Sequence, residues 1–198
     1  AQVGDYKTAE VKRALDLLIL AGLLIPVTHT SANGLPLGSG ADTSYRKIIP
    51  LDCALTLRLL NMTMPDSSSL TTHILTAPAA DLVNKGAMAE LVAGLELLHY
   101  QSPHLRHEMF YWTRQTKNSL AEIDYLTVQD MHVLPIEVKA GTQGGMKSLW
   151  IFMREKHLTE AVRCSLENFG SFEYIDKDDN NAVRHVRICP LYAISSLL

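Results

Sequence analysis

Apolar and polar positions alternate with two distinct periods along this chain. Val11, Leu15, Leu18 and Ile19 recur at helical spacing and predict a helix over Thr8–Leu20, ended by Gly22. Leu23–Thr28 then reads as a strand, Asn33-Gly34 and Pro36 as a loop, and Tyr45–Ile49 as a second strand. Pro50-Leu51-Asp52 leads into a short helix ending near Asn61. A helix followed by a strand pair outlines a winged-helix-like module over residues 1–61. Such a module binds DNA or packs on neighbouring domains. Lys7, Lys12 and Arg13 on the helix and Arg46 and Lys47 on the wing suit either role.

Met62 to Pro78 is rich in Ser and Thr without a clear period, and reads as a linker over 62–78. The remainder, 79–198, mixes both periods. Asp81 to Tyr100 predicts a long helix, and Glu108–Thr113 a strand by its aromatic content. Glu122–Val128 and His132–Lys139 predict a hairpin. Lys147–His157 predicts a helix, Ala161–Ser165 a strand, and Phe172–Ile175 with Arg184–Ile188 a last hairpin across the turn D-K-D-D-N-N. The order α-β-β-β-α-β predicts an α/β fold, a mixed sheet flanked by helices.

With 198 residues, 47% of them hydrophobic, the chain can bury a substantial core. Its apolar runs, around Leu17–Ile25 and Leu91–Leu98, are too short or too interrupted to span a bilayer, so no membrane partner is expected. The chain opens without Met or a signal peptide and reads as a fragment of something longer. A net charge of -3 removes the general argument for nucleic-acid binding, leaving a local patch or a metal to make any such contact. Cys53, Cys164 and Cys189 are widely separated with no CxxC spacing, which predicts inert thiols in a reducing, cytoplasmic compartment.

The predicted hairpin carries acid where buried strands carry apolar residues. With its turn centred on Asp130 and Met131, Asp124 faces Glu137, and Glu122 faces Lys139. Like charges directly opposite are destabilising, so Asp124 beside Glu137 calls for a cation between them. Glu122 and Asp124 share one face, with Ile123 and Tyr125 opposite. Two readings are open: a solvated face with a Glu122–Lys139 ion pair, or a metal site. Glu90 bears on the choice. It lies among Gly86, Ala87, Ala93, Gly94 and Leu97 on one helix face, a small-residue stripe expected to pack closely. A carboxylate there is expensive unless paired, protonated or bound to metal.

A helix Glu, an Asp on one strand and E-x-K on the next (Glu90, Asp124, and I-E-V-K with Glu137 and Lys139) resembles the PD-(D/E)xK nuclease superfamily. More closely, the chain resembles an uncharacterised C-terminal domain of bacterial and archaeal AAA+ P-loop ATPases. The matching pieces include A-G-L-L-I-P-V, N-G-L-P-L, K-G-A-M-A-E-L-V-A, F-Y-W-T-R, A-E-I-D-Y-L, P-I-E-V-K-A and P-L-Y-A-I. Ile123 stands where the superfamily's motif has Pro. The resemblance implies a restriction-endonuclease-like core, an N-terminal ATPase as partner in the full-length chain, and DNA as a partner. It also implies Mg²⁺ or Mn²⁺ held by Asp124, Glu137 and Glu90, with Lys139 stabilising charge in phosphodiester hydrolysis. The alternative it leaves open is an inactive domain that targets or regulates the ATPase.

Arg114, in W-T-R-Q, is expected to contact a phosphate or to be a solvated strand-end cation. G-T-Q-G-G-M-K-S, Gly141 to Ser148, approaches a phosphate-binding loop, but Met146 stands where a second Gly is needed. No nucleotide site is expected there. Gln143 and Lys147 remain candidates to touch a nucleic-acid phosphate. His99, His104 and His107 lack metal-site spacing on one helix face.

Overall fold

The computed structural model describes residues 6–59, 85–102, 104, 107–116, 119–141 and 144–197. The predicted linker, residues 81–84 and Gln143 lie outside these. Eight strands form one mixed sheet in the order β2-β1-β3-β4-β5-β6-β8-β7. They are β1 (Leu24–Thr30), β2 (Ala41–Pro50), β3 (Met109–Thr116), β4 (Ser119–Gln129), β5 (His132–Val138), β6 (Glu160–Ser165), β7 (Gly170–Asp176) and β8 (Ala182–Pro190). The helices are α1 (Thr8–Leu20), α2 (Cys53–Leu59), α3 (Lys85–Tyr100) and α4 (Lys147–Glu155), with 3-10 turns at Leu37–Gly40 and Leu191–Leu197. No helix of the described residues is long and apolar enough to cross a membrane.

Each face of the sheet has its own core. On one, α3 contributes Ala89, Leu91, Ala93, Leu95 and Leu97 against Val27, Ile49, Tyr125, Ile136 and Val138. On the other, α4 presents Leu149, Phe152 and Met153 at helical spacing, all fully buried. They pack on Trp112, Ile123 and Leu126. The Trp112 and Phe152 rings lie 4.9 Å apart. Burying each such side chain stabilises the fold by about 2 kcal/mol.

The strands expected as a separate wing are hydrogen-bonded into this sheet. β1 pairs with β2 antiparallel and with β3 in parallel, Val27 opposite Met109. A second difference concerns α1, whose bounds match the prediction. Its apolar stripe is not core: none of its residues is buried, and Leu15 and Ile19 are half-covered. The helix lies beside β1 near one end of the sheet, where there is little surface to cover it.

The central hairpin has the predicted register, Tyr125 opposite Ile136 through Gln129 opposite His132. Asp130 and Met131 form its two-residue turn with φ of 48° and 62°. Positive φ at both positions matches the right-handed twist of the flanking strands.

Candidate functional site

The site begins with an irregularity. Between β3 and β4 the register shifts: Phe110 faces Leu126, yet Trp112 faces Ile123. Asp124 and Tyr125 therefore both oppose Tyr111. A two-against-one bulge of this kind turns neighbouring side chains to one face. Tyr125 consequently joins the α3-side core while Ile123 lies in the α4-side core. This corrects the expectation that Ile123 and Tyr125 share a face, which assumed uninterrupted alternation.

The bulge also ends the hairpin ladder. Beyond Tyr125–Ile136 the Val138 N–H donates to Asp124 Oδ2 at 2.7 Å, a carboxylate oxygen standing in for a strand carbonyl. β4 and β5 part at this seam. Asp124 is 9% exposed, and its carboxyl is pushed up to about 7. Burial is the largest cause, followed by the charges of Glu137 and Glu90, against the lowering effects of Val138 N–H and Lys47.

Glu90, Glu122 and Asp124 bring carboxylate oxygens within 4.8 Å of one another. Glu90 arrives from α3, half-buried rather than enclosed, because Gly86 and Ala87 one turn earlier are exposed. The close part of the small-residue stripe is Ala93 and Gly94. There the Tyr125 hydroxyl enters the helix surface and donates to the Glu90 carbonyl at 2.7 Å. A Cβ on Gly94 would fall 2.8 Å from Ile49 Cδ1 and closer still to the Tyr125 hydroxyl.

Glu122 does not pair with Lys139. With the seam open, it faces Thr113 on β3 and binds Lys47 Nζ at 2.5 Å. Lys47 reaches over β1 and β3 from the edge strand β2. Its Nζ is also 3.5 Å from Glu90, 3.9 Å from Asp124 and 4.9 Å from the Tyr111 ring centre. Burial works to lower its pKa, but the Glu122 hydrogen bond and the charges of Glu90, Glu122 and Asp124 raise it overall. Sequence reading placed Lys47 on a wing that binds DNA or packs on a neighbouring domain. The missed signal was strand alternation: Lys47 shares a face with Ile49, and Ile49 is buried.

Glu137 and Lys139 form a second group. Leu134, Ile136 and Val138 enter the α3-side core, so alternation turns Glu137 and Lys139 towards α4. Lys139 Nζ donates to Glu137 Oε1 at 2.6 Å. The Glu137 Oε2 is buried without a hydrogen-bond partner. Burial raises the Glu137 pKa, opposed by Lys139 and reinforced by Glu90 and Glu122. Gly144, at φ 146°, lies over the Lys139 stem, where a Cβ would come within 3.2 Å of Cδ. Gly144 thus covers the Lys139 stem.

The other candidates lie elsewhere. Arg114 pairs with Glu155 of α4, on the α4 side of the sheet. Lys147 is exposed as the first residue of α4, and Gln143 is outside the described residues. Cys164 and Cys189 are buried opposite one another on β6 and β8, while Cys53 is partly exposed. A cleft of about 730 Å³ lined by Leu35, Leu37, Leu97, Phe110 and Leu126 shares only the Tyr125 wall with the acidic group. Its wall is mainly apolar, with Gln101, Glu108 and Thr127 as polar members, and it offers none of the predicted site residues.

The donor set suits a hard cation. Oxygen ligands alone, from three close carboxylates with a fourth orphaned nearby, suit an oxygen-seeking divalent ion such as Mg²⁺, Mn²⁺ or Ca²⁺ and not a thiolate- or imidazole-seeking one.

No curated protein and no solved structure matches the chain. Residues 85–189, which run from the start of α3 almost to the end of β8 and so carry both charged groups except Lys47, match the family model described as a domain of unknown function, DUF4143. More than half the chain lies in that match, and the protein belongs to this family, whose members are commonly C-terminal domains of AAA-type ATPases.

Proposed function

We propose that this chain is a restriction-endonuclease-like domain of a P-loop ATPase that hydrolyses phosphodiester bonds in DNA with a divalent metal. One observation carries the reading: Asp124 and Glu137 flank the opened seam between β4 and β5, and burial, with the charge of Glu137 adding to it, drives the Asp124 carboxyl up to about 7. Such crowding costs stability, and groups perturbed in this way cluster at functional sites. The α-β-β-β-α-β order of α3 to β6 supports the superfamily reading.

Glu90, Glu122 and Asp124 would hold the Mg²⁺ or Mn²⁺ on the α3 side of the sheet, with the Glu137 carboxylate adding its charge from across the parted strands. When bound, the ion supplies polarisation of a phosphate oxygen and a water that ionises near neutral pH. Lys139 presents its ammonium beside Glu137 to offset charge developing on the phosphate oxygens. Asp124 must give up its proton to act as a ligand, so binding strengthens as pH rises through about 7.

The test is incubation with supercoiled and linear DNA in Mg²⁺ or Mn²⁺. Wild type should nick, and Lys139→Ala should lose about 100-fold or more of that rate. Absence of nicking by wild type in both ions would sink the reading. A second reading, a non-catalytic domain that targets or regulates the ATPase, is favoured by the position of Lys47. Its ammonium already neutralises part of the acidic group.

A further inference from the structure

We propose that Lys47 is a resident counter-cation that occupies the ion's place among Glu90, Glu122 and Asp124 and must swing out before a divalent ion enters. The inference rests on the metal-binding reading above and concerns how that site is regulated. Three observations carry it. Lys47 Nζ contacts all three carboxylates of the close group, at 3.5 Å, 2.5 Å and 3.9 Å respectively. The face of Tyr111, 4.9 Å away, completes a pocket that suits an ammonium, since a ring face attracts cations. Finally, Lys47 belongs to β2, an edge strand outside residues 85–189, so the cation comes from a different part of the chain than the acids.

Electrostatics then sets up a competition. A single ammonium among three carboxylates leaves the group net negative, which still favours a divalent ion. Yet two cations cannot share so small a space without strong repulsion. Ion entry therefore requires Lys47 to leave. Its side chain is about a quarter exposed, 24%, and rides on the outermost strand, so an outward rotamer leads to solvent. A backbone phosphate of bound nucleic acid would give the released ammonium a new partner. DNA binding and ion binding would then reinforce one another, as two ligands that favour the same conformation must.

Two measurements test this. Mn²⁺ affinity, read from the electron paramagnetic resonance of free Mn²⁺, should rise at least tenfold in Lys47→Gln and stay near wild type in Lys47→Arg. If wild type binds Mn²⁺ and Lys47→Gln binds no more tightly, the counter-cation role is overturned while the metal site stands. Binding by neither protein would overturn both. Should Lys47→Gln fail to fold, amine acetylation of wild type answers the question. Lys47 should be protected without ion and become reactive at saturating Mn²⁺, with exposed Lys12 as the internal reference. Labelling of Lys47 that does not respond to Mn²⁺ overturns the inference.

Discussion

Asp124 concentrates the physics of this protein in one side chain. Its carboxylate caps the Val138 N–H, faces the charges of Glu137 and Glu90, and is nearly buried. Its folded-state pKa, about 7, exceeds the ordinary 3.8. Between those values the native state holds more protons than the unfolded chain, so stability must fall as pH rises through that window. Without divalent ions, wild type should lose on the order of 2–4 kcal/mol between pH 4 and pH 8 from this group. Asp124→Asn keeps an oxygen for Val138 and removes the charge. Urea midpoints in chelator should show the variant more stable than wild type at pH 8 and nearly equal to it at pH 4. A wild-type midpoint that rises with pH over this range, or a variant less stable at pH 8, would contradict the account. Lys47 is the residue whose role was least visible beforehand. Its chemistry was legible as a cation on a strand, but the strand's position over β1 and β3 was not.

At the scale of elements, the close fit of α3 on the central hairpin rests on Gly94. The Tyr125 hydroxyl sits where a Cβ would project and takes the Glu90 carbonyl as its acceptor. Ala is the better helix former by about 1 kcal/mol. Overpacking here costs about 1–3 kcal/mol, and Tyr125 is too enclosed to step aside. Gly94→Ala should therefore destabilise by about 1–2 kcal/mol, and Tyr125→Phe in the same chain should recover part of that loss. Equal losses in the single and double variants would show that the tyrosine is not the obstacle. The hairpin's register and turn were readable because the short polar stretch Q-D-M-H interrupts two strand-like runs. The bulge was not, since two residues opposing one leaves no mark in the β4 sequence itself.

Across the whole molecule, the first third of the chain completes the sheet. Val27 is fully buried and Ile49 nearly so, both within the α3-side core, and β1 covers the edge of β3. A fragment beginning at residue 85 would match the family model yet expose that edge and lose those contacts. Open edges with apolar faces aggregate. The fragment should be insoluble or lack a cooperative thermal transition, whereas the full chain melts in one step. A soluble, cooperatively folding fragment would show that the two parts are independent.

What the amino-acid order determined by itself is local. Helical spacing set α1 and α4, β-branched and aromatic runs set the strands, and the Asp130-Met131 turn set the hairpin register, because each depends on neighbours a few residues away. The acids Glu90, Asp124 and Glu137 and the cation Lys139 were recognisable for the same reason: charge inside apolar elements is visible in the string. Tertiary structure decided what those charges meet. It joined β1 and β2 to the sheet, turned Tyr125 across the bulge, and moved Glu122 from Lys139 to Lys47. Such contacts link residues far apart in sequence, and they follow from which strands become neighbours, a choice made by burial of both sheet faces at once.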